Sequence, residues 1–252
     1  MKIKIKKFHI RFFAFHIQNK KYTVTFYKIK LTKEKNVEKW GKCMIDKLCE
    51  NITARIRKEM PEIDDEKAEI IHFGVSLIFG ELPKIFFMFA FGIILGLWWQ
   101  TLLAFFLILP YRVASGGFHL KTHIGCFLCT NIIYCGNAYL STIWNFPNEI
   151  SKYITIGSIF ILGVILVSIY APADTENIPI ISKKERRTKK ILSYVFLILN
   201  MIGALFIPNT TIANILIFGT LVQTLSITRV AYILTKNKYG YEEYLKAQET
   251  LS

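Results

Sequence analysis

Two uncharged apolar segments limit most strongly what this chain can fold into. Residues 153–171 are nineteen residues without a charge, and residues 211–228 are eighteen more. A membrane-spanning helix needs about 20 apolar residues to cross a hydrocarbon core about 30 Å thick. A soluble domain of this size seldom contains two such runs. With 52% hydrophobic residues in the whole chain, these segments predict an integral membrane protein built from helices.

Further apolar segments bring the predicted number of membrane-spanning helices to six. The spans are expected at about residues 68–99, 100–113, 122–144, 152–171, 190–207 and 211–234. The second is short and contains Pro110, so a re-entrant segment is an alternative. Apolar residues also recur every three or four positions from Val37 to Met60, which predicts an amphipathic helix on the membrane surface. The predicted fold is all-α, a polytopic helical bundle preceded by this interfacial helix.

The distribution of basic residues predicts the orientation of these helices. Eleven Lys or Arg and one acid, Glu34, give residues 1–36 a net charge of +10, which leaves +4 of the total of +14 for the other residues. Nucleic-acid binding by the body of the chain is not expected, because phosphate contacts need clustered cations. The N-terminal charge is better suited to anionic lipid. The basic loop 181–190 should be cytoplasmic, which places both termini and residues 112–121 on the same side.

The densest group of reactive residues lies in the loop after the second span. Gly116 and Gly117 permit positive φ and a sharp turn. A cysteine nucleophile needs a base, usually histidine, and His119 precedes Cys126 by seven residues. A helix through both would place them on one face, whereas a helix that starts near Thr122 would place Cys126 in its first turn. Either arrangement can bring the two side chains together as a catalytic dyad.

Spacing alone leaves other interpretations of this segment open. A Cys in a membrane helix is often a packing residue, and a His at a helix entrance is often a cap. Four residues also have offsets suited to a tetrahedral zinc ion, namely His119, His123, Cys126 and Cys129. Elsewhere, Glu81 and Lys84 are three residues apart in an apolar segment, so they can pair on one helix face, either as a structural bridge or as part of a substrate groove.

Two motifs together resemble one known family. Residues 111–126 read YRVASGGFHLKTHIGC, and residues 171–180 read APADTENIPI. In this order, with similar hydropathy between them, they resemble the accessory gene regulator protein B (AgrB) family of quorum-sensing peptidases. The resemblance extends from about residue 37 to about residue 238. This chain has Ile178 where many members of the family have Lys.

The resemblance implies a cysteine endopeptidase of the cell membrane whose active site faces the cytoplasm. Its dyad would be His119 and Cys126, with no metal and no cofactor, acting on a small AgrD-like propeptide and promoting its cyclisation to a thiolactone or lactone. A homodimer is also implied. A peptide exporter without chemistry and the zinc-dependent hydrolase remain the alternatives. The residues expected to bind substrate or support the dyad are Arg112, Gly116, Gly117, Asp174 and Glu176.

Three regions follow from this resemblance. Residues 1–36 are expected to be a disordered extension or an over-long gene assignment, because Leu31 and Val37 stand near where members of the family begin and bacterial Leu and Val codons can start translation. Residues 37–238 are the expected membrane peptidase domain, and residues 239–252 a polar tail. Recovery of peptides from residues 2–30 of the native protein by mass spectrometry would refute the gene-assignment hypothesis.

Overall fold

The computed structural model of this chain describes residues 44–60, 62–120, 123–176 and 179–249. The chain divides into two units, Met1–Met44 and Ile45–Ser252. All of the first unit except Met44 lies outside the described residues, and so does the extension predicted at residues 1–36. The start of the predicted amphipathic helix at Val37 lies outside them as well.

Met44, the last residue of the first unit, and the described part of the second unit form nine α-helices and no strand. The helices are α1 (Met44–Glu59), α2 (Asp65–Ile94), α3 (Trp98–Ser115), α4 (His123–Ile143), α5 (Glu149–Tyr170), α6 (Lys183–Phe206), α7 (Thr210–Ser226), α8 (Arg229–Leu234) and α9 (Gly240–Glu249). The predicted all-α class is confirmed.

Helices α2 to α5 begin and end within a few residues of the first four predicted spans. Two later segments differ from the prediction. The basic residues 183–190, expected in a loop, form the first two turns of α6, which starts because the Ser182 side chain accepts a hydrogen bond from the backbone N–H of Glu185. The single helix expected at residues 211–234 is interrupted after Ser226, where extended Thr228 caps a new helix, α8.

Short polar side chains begin most of these helices. Each accepts a hydrogen bond from a backbone N–H three residues further on, which satisfies one of the donors that a helix start leaves unpaired. The capping residues are Asp64, Asn148, Ser182, Asn209 and Thr228. Helix boundaries in this chain are therefore set by caps as well as by the ends of apolar runs.

Helix α7 lies at the centre of the bundle and packs against α3, α4, α5 and α6. Ten of its seventeen residues are buried. On one side it joins a cluster that includes Tyr111, Leu197 and Tyr232, and on the other its Ile215 joins Met88 and Tyr134. These two clusters fix α3, α4 and α7 around the loop that carries the candidate site.

The outer surface of the bundle is apolar and part of its interior is polar. Two of the described helices, α5 and α6, are long and apolar enough to cross a membrane, and α7 is a shorter apolar helix. Helix α5 exposes Ile154, Ile161 and Ile169. Inside, the Asn200 side-chain amide donates to Thr220 Oγ1 across 3.1 Å. Apolar exposure with interhelical polar contacts is consistent with a membrane protein.

Candidate active site

The loop between α3 and α4 turns on two glycines that no other residue can replace without strain. Gly116 has φ 77° and ψ −146°, and Gly117 has φ 135°, conformations that residues with a side chain rarely adopt. A Cβ on Gly116 would lie 2.2 Å from the carbonyl oxygen of Ala173. Both glycines are therefore required by backbone geometry, and Gly116 also by the close approach of another segment.

That other segment is the second motif, which pairs with the loop through backbone hydrogen bonds. The N–H of Gly117 donates to the carbonyl of Ala173 across 2.9 Å, and the N–H of Ala173 donates to the carbonyl of Ser115 across 2.8 Å. Gly116 and Ala173 consequently form an isolated parallel bridge. The two motifs, far apart in the sequence, thus form one structural unit.

Arg112 and Gln223 hold the same turn from α3 and α7. The Arg112 guanidinium donates to Gln223 Oε1 across 3.1 Å and to the carbonyl of Phe118 across 3.0 Å. The Gln223 amide donates in turn to Ser115 Oγ across 2.9 Å and to the carbonyl of Gly116 across 2.8 Å. The single Gln223 side chain therefore connects α7 to three points around the turn.

His119 follows this turn and lines a pocket together with Cys126. Its carbonyl accepts a hydrogen bond from the Asn237 amide across 2.7 Å. Part of the residue is exposed at the surface. The surrounding protein nevertheless lowers the pKa of His119 from 6.5 to about 4. The largest cause is loss of hydration and the second is the Arg112 charge, whereas the Glu81 carboxylate acts in the opposite direction. The imidazole is thus neutral near pH 7 and able to accept a proton.

Cys126 is the fourth residue of α4 and is half-buried. Of the two arrangements considered from the spacing, the structure has the second, with the cysteine in the first turn of a helix that starts after the loop. Its Sγ accepts a hydrogen bond from Lys84 Nζ across 3.3 Å, and Lys84 also donates to Glu81 Oε1 across 2.6 Å. Among the described residues, His119 and Cys126 share the pocket without a hydrogen bond between their side chains.

The rest of the pocket is mostly apolar. Its walls come from the loop and from three helices that surround it, α3, α4 and α7. Its lining includes Ile108, Phe118, Leu120, Ile133, Val222 and, among polar groups, Thr130, Asn137, Gln223 and Ser226. An apolar pocket with a few convergent polar groups is typical of a ligand or active site.

Asp174 is placed beneath the loop and not in the pocket. Its carboxylate is 1% exposed and forms an ion pair with Arg186 across 3.1 Å. It also accepts a hydrogen bond from the backbone N–H of Ile180 across 2.8 Å. These contacts join Asp174 to Ile180 and to Arg186 of α6, which favours a supporting role for Asp174. Glu176 lies two residues further along the same segment.

No group of three His, Cys, Asp or Glu side chains in the described part of the chain is arranged to hold a metal ion. The side chain of His123, one of the four residues considered for zinc, lies outside that part. The four-residue zinc set is therefore not tested.

The model of one family, Accessory gene regulator B, matches residues 49–227. This chain belongs to the AgrB family. The match contains the pocket, and both motifs lie within it.

Curated AgrB-like relatives agree with this assignment. An AgrB-like protein of Listeria monocytogenes serovar 1/2a is 28% identical over 185 residues, which are 72% of this chain and 87% of the relative. An AgrB-like protein of Clostridium acetobutylicum is 26% identical over 207 residues, which are 81% of this chain and 96% of the relative. An AgrB-like protein of Clostridium perfringens is 29% identical over 207 residues, which are 77% of this chain and 95% of the relative. No solved structure matches. Membership supports a role in the agr quorum-sensing system.

Three residues around the AgrB pocket were not assigned to it from the sequence. The sequence predicts Lys84 as half of a Glu–Lys pair, either a structural bridge or part of a substrate groove, but not as a partner of Cys126. Gln223 carried a weaker signal, a long polar side chain within an uncharged run. Asn237 had none, because its contact with His119 spans 118 residues of sequence.

Proposed function

We propose that this AgrB family member is a membrane cysteine endopeptidase. It cleaves the C-terminal tail from a small AgrD-like propeptide through a thioester on Cys126 and promotes cyclisation to a thiolactone or lactone autoinducing peptide. The observation that carries the proposal is the shared pocket of His119 and Cys126 in a chain of this family. A nucleophile, a base and an apolar enclosure are the components that acyl transfer requires.

The first half-reaction transfers the propeptide to the enzyme. The Cys126 thiol gives its proton to neutral His119, and the sulfur attacks the carbonyl carbon at the cleavage point. The tetrahedral intermediate then collapses, the C–N bond breaks, and the imidazolium gives its proton to the departing amine of the tail. The product is a thioester between Cys126 and the remaining peptide.

The second half-reaction closes the ring. A thiol or hydroxyl of the bound peptide gives its proton to His119 and attacks the thioester carbonyl, which releases the Cys126 sulfur. Water would compete and leave a linear peptide, so the site must exclude it. The side chains of Ile108, Phe118 and Val222 in the pocket wall support such exclusion.

The remaining site residues support the dyad in this proposal. Gly116 and Gly117 form the turn that leads to His119, and Arg112 holds that turn through Gln223 and the Phe118 carbonyl. These contacts favour a positioning role for Arg112 over capture of an acidic tail. Asp174 and Glu176 belong to the segment packed against it.

The proposed enzyme is a multi-pass protein of the cell membrane with about six spans, the pocket opening toward the cytoplasm. Support comes from the two long apolar helices, from apolar side chains such as Ile154 and Ile169 exposed on the bundle, and from the cations at residues 183–190. Adsorption of an amphipathic propeptide to the same leaflet would raise its effective concentration at the pocket. We include a homodimer in the proposal as a further expectation from the family.

The decisive experiment mixes purified full-length protein in liposomes with a synthetic precursor and follows intact masses. The expected result is a tail fragment, a cyclic product and a transient acyl adduct that maps to Cys126. The variant Cys126→Ala should form neither adduct nor product. Cys129→Ala, one turn further along the same helix, is the matched control and should retain most of the activity.

Other outcomes would contradict the proposal. Movement of uncleaved precursor across the liposome membrane would indicate an exporter. Activity lost with chelators but retained in Cys126→Ala would indicate a zinc-dependent hydrolase.

A further inference from the structure

Lys84 is a nearly buried cation on α2 with two partners. Its side chain is 9% exposed, whereas that of Glu81 is 50% exposed. The ammonium donates to Glu81 Oε1 across 2.6 Å and to Cys126 Sγ across 3.3 Å. A charge with little access to water is costly unless it is paired and hydrogen-bonded. One partner of Lys84 is a carboxylate, and the other is the sulfur assigned above as the nucleophile.

The position of Lys84 beside Cys126 is fixed by the packing of α2 against α4. The rings of Phe87 and Phe127 meet edge to face with centroids 5.4 Å apart. Two turns further along α4, Cys135 Sγ donates to the carbonyl of Met88 across 3.7 Å. Together with the hydrogen bond from Lys84 to Cys126, these two contacts fix the register of α2 against α4. The ammonium is thus directed at the sulfur by the fold.

Several charged and titratable groups of the described residues lie in or beside the pocket that holds the sulfur. Lys84 and Glu81 come from α2, Arg112 from α3, His119 from the loop and Cys129 from α4. The pocket residues contributed by α7 are uncharged. Of these groups, Lys84 is the cation in hydrogen-bond contact with the sulfur, whereas Arg112 is bonded to Gln223 and to the Phe118 carbonyl.

We infer that Lys84 is the cation that pairs with Cys126 in its thiolate form, and that Glu81 is a positioning residue that holds Lys84 in place. This inference rests on the proposed function, because it assigns a role in the same reaction. It gives the site a third catalytic residue on a helix that precedes both motifs. The substrate and products are unchanged.

Lys84 acts through its charge and keeps all its protons. In acylation the S–H bond of Cys126 breaks, its proton passes to His119 and then to the departing amine, and the S–C bond forms. In ring closure the S–C bond breaks and the sulfur leaves as a thiolate, again beside the ammonium, while His119 receives the proton of the ring nucleophile. No bond to Lys84 Nζ forms or breaks in either step.

The test measures the rate at which iodoacetamide alkylates Cys126 as a function of pH, in full-length protein without substrate. Because the thiolate is the reactive form, Lys84→Met should lower the rate near neutral pH by about tenfold or more and move the profile to higher pH. Lys84→Arg should restore most of the rate. Glu81→Gln should cause a smaller loss, because the ammonium remains but is less well held.

The matched control is Lys152→Met on α5. Lys152 forms the same kind of pair, with Glu149 three residues away, and its side chain is 15% exposed. This variant removes a lysine of similar burial from a helix that contributes nothing to the pocket. It should leave the alkylation profile of Cys126 unchanged.

A second measurement needs no variant and covers the case in which Lys84→Met fails to fold. In the unaltered protein, peptide mapping should show that Cys126 is alkylated at lower pH than Cys129, which lines the same pocket. Equal profiles for the two cysteines would overturn the inference. So would a folded Lys84→Met with an unchanged profile, or a profile moved by His119→Ala but not by Lys84→Met.

The failure of this inference and that of the proposed function are distinguishable. Cleavage by the unaltered enzyme with a profile independent of Lys84 would overturn only the role of Lys84. A Lys84-dependent profile without cleavage of any precursor would overturn the peptidase proposal and leave the ion pair in place.

Discussion

The backbone N–H of Gly117 donates a hydrogen bond to the carbonyl oxygen of Ala173 across 2.9 Å. This contact joins a turn after α3 to a segment after α5, and it brings the two family motifs together beneath the pocket. It also explains why residue 116 must be glycine, since the chains approach too closely there for a side chain. The path of the backbone toward His119 therefore depends on both motifs.

Gly116→Ala should reduce the proposed peptidase activity by disturbing this contact. The backbone conformation of Gly116 alone would cost about 1–3 kcal/mol for a residue with a side chain, and the new Cβ would meet the Ala173 carbonyl at 2.2 Å. Cleavage should fall and the thermal unfolding midpoint in detergent should decrease. The control is Gly136→Ala on α4, where an added Cβ has nothing within 4 Å and helix propensity improves. Equal behaviour of the two variants would contradict the argument.

Gln223→Leu should destabilise the turn without touching the dyad. The substitution removes the acceptor of Arg112 and the donor to Ser115 and Gly116. Groups left unsatisfied in a buried site cost about 1–3 kcal/mol, so the unfolding midpoint and the cleavage rate should both fall. Gln100→Leu is a suitable control, because Gln100 is also buried and its Oε1 has no hydrogen-bond partner among the described residues. A larger loss at Gln100 would refute this role of Gln223.

Asp174→Asn should destabilise the protein more than any surface substitution. It leaves Arg186 without its carboxylate, and because the Arg186 side chain is 24% exposed and keeps the Ile180 and Pro172 carbonyls as acceptors, the expected cost is about 1–3 kcal/mol. Unfolding monitored in detergent should show the loss directly. Glu185→Gln, which breaks an exposed pair with Lys189, should cost less than about 0.5 kcal/mol. Similar losses for the two variants would mean that the Asp174 pair contributes little.

The pH dependence of cleavage should reflect the lowered pKa of His119. A base must be deprotonated in the free enzyme, and an ordinary histidine would be largely protonated below about pH 6.5. Because the pKa of His119 is lowered to about 4, the base stays neutral between these two values. As the pH falls, kcat/KM should therefore begin to decrease only below pH 6.5. A decrease centred at or above pH 6.5 would contradict the lowered pKa of His119.

The sequence predicts most helices of this fold because their apolar runs are long and uninterrupted. The break between α7 and α8 escapes such a prediction, since the apolar pattern continues through Ile227 while the Thr228 side chain starts a new helix. His119 and Cys126 are predicted by residue type and family resemblance, and both line the pocket. The contacts of Lys84 with Cys126 and of Gln223 with Gly116 span 42 and 107 residues of sequence. Only packing between helices determines them.

The hydrogen bond from Asn237 to the His119 carbonyl lies across the end of the family match, which stops at residue 227. A minimal version of this protein cut at that boundary would keep both motifs, the pocket helices and the dyad. It would nevertheless lack one of the groups that hold the peptide unit of His119. A version for expression and engineering should thus be longer than the segment that the family model matches and should extend at least through Asn237.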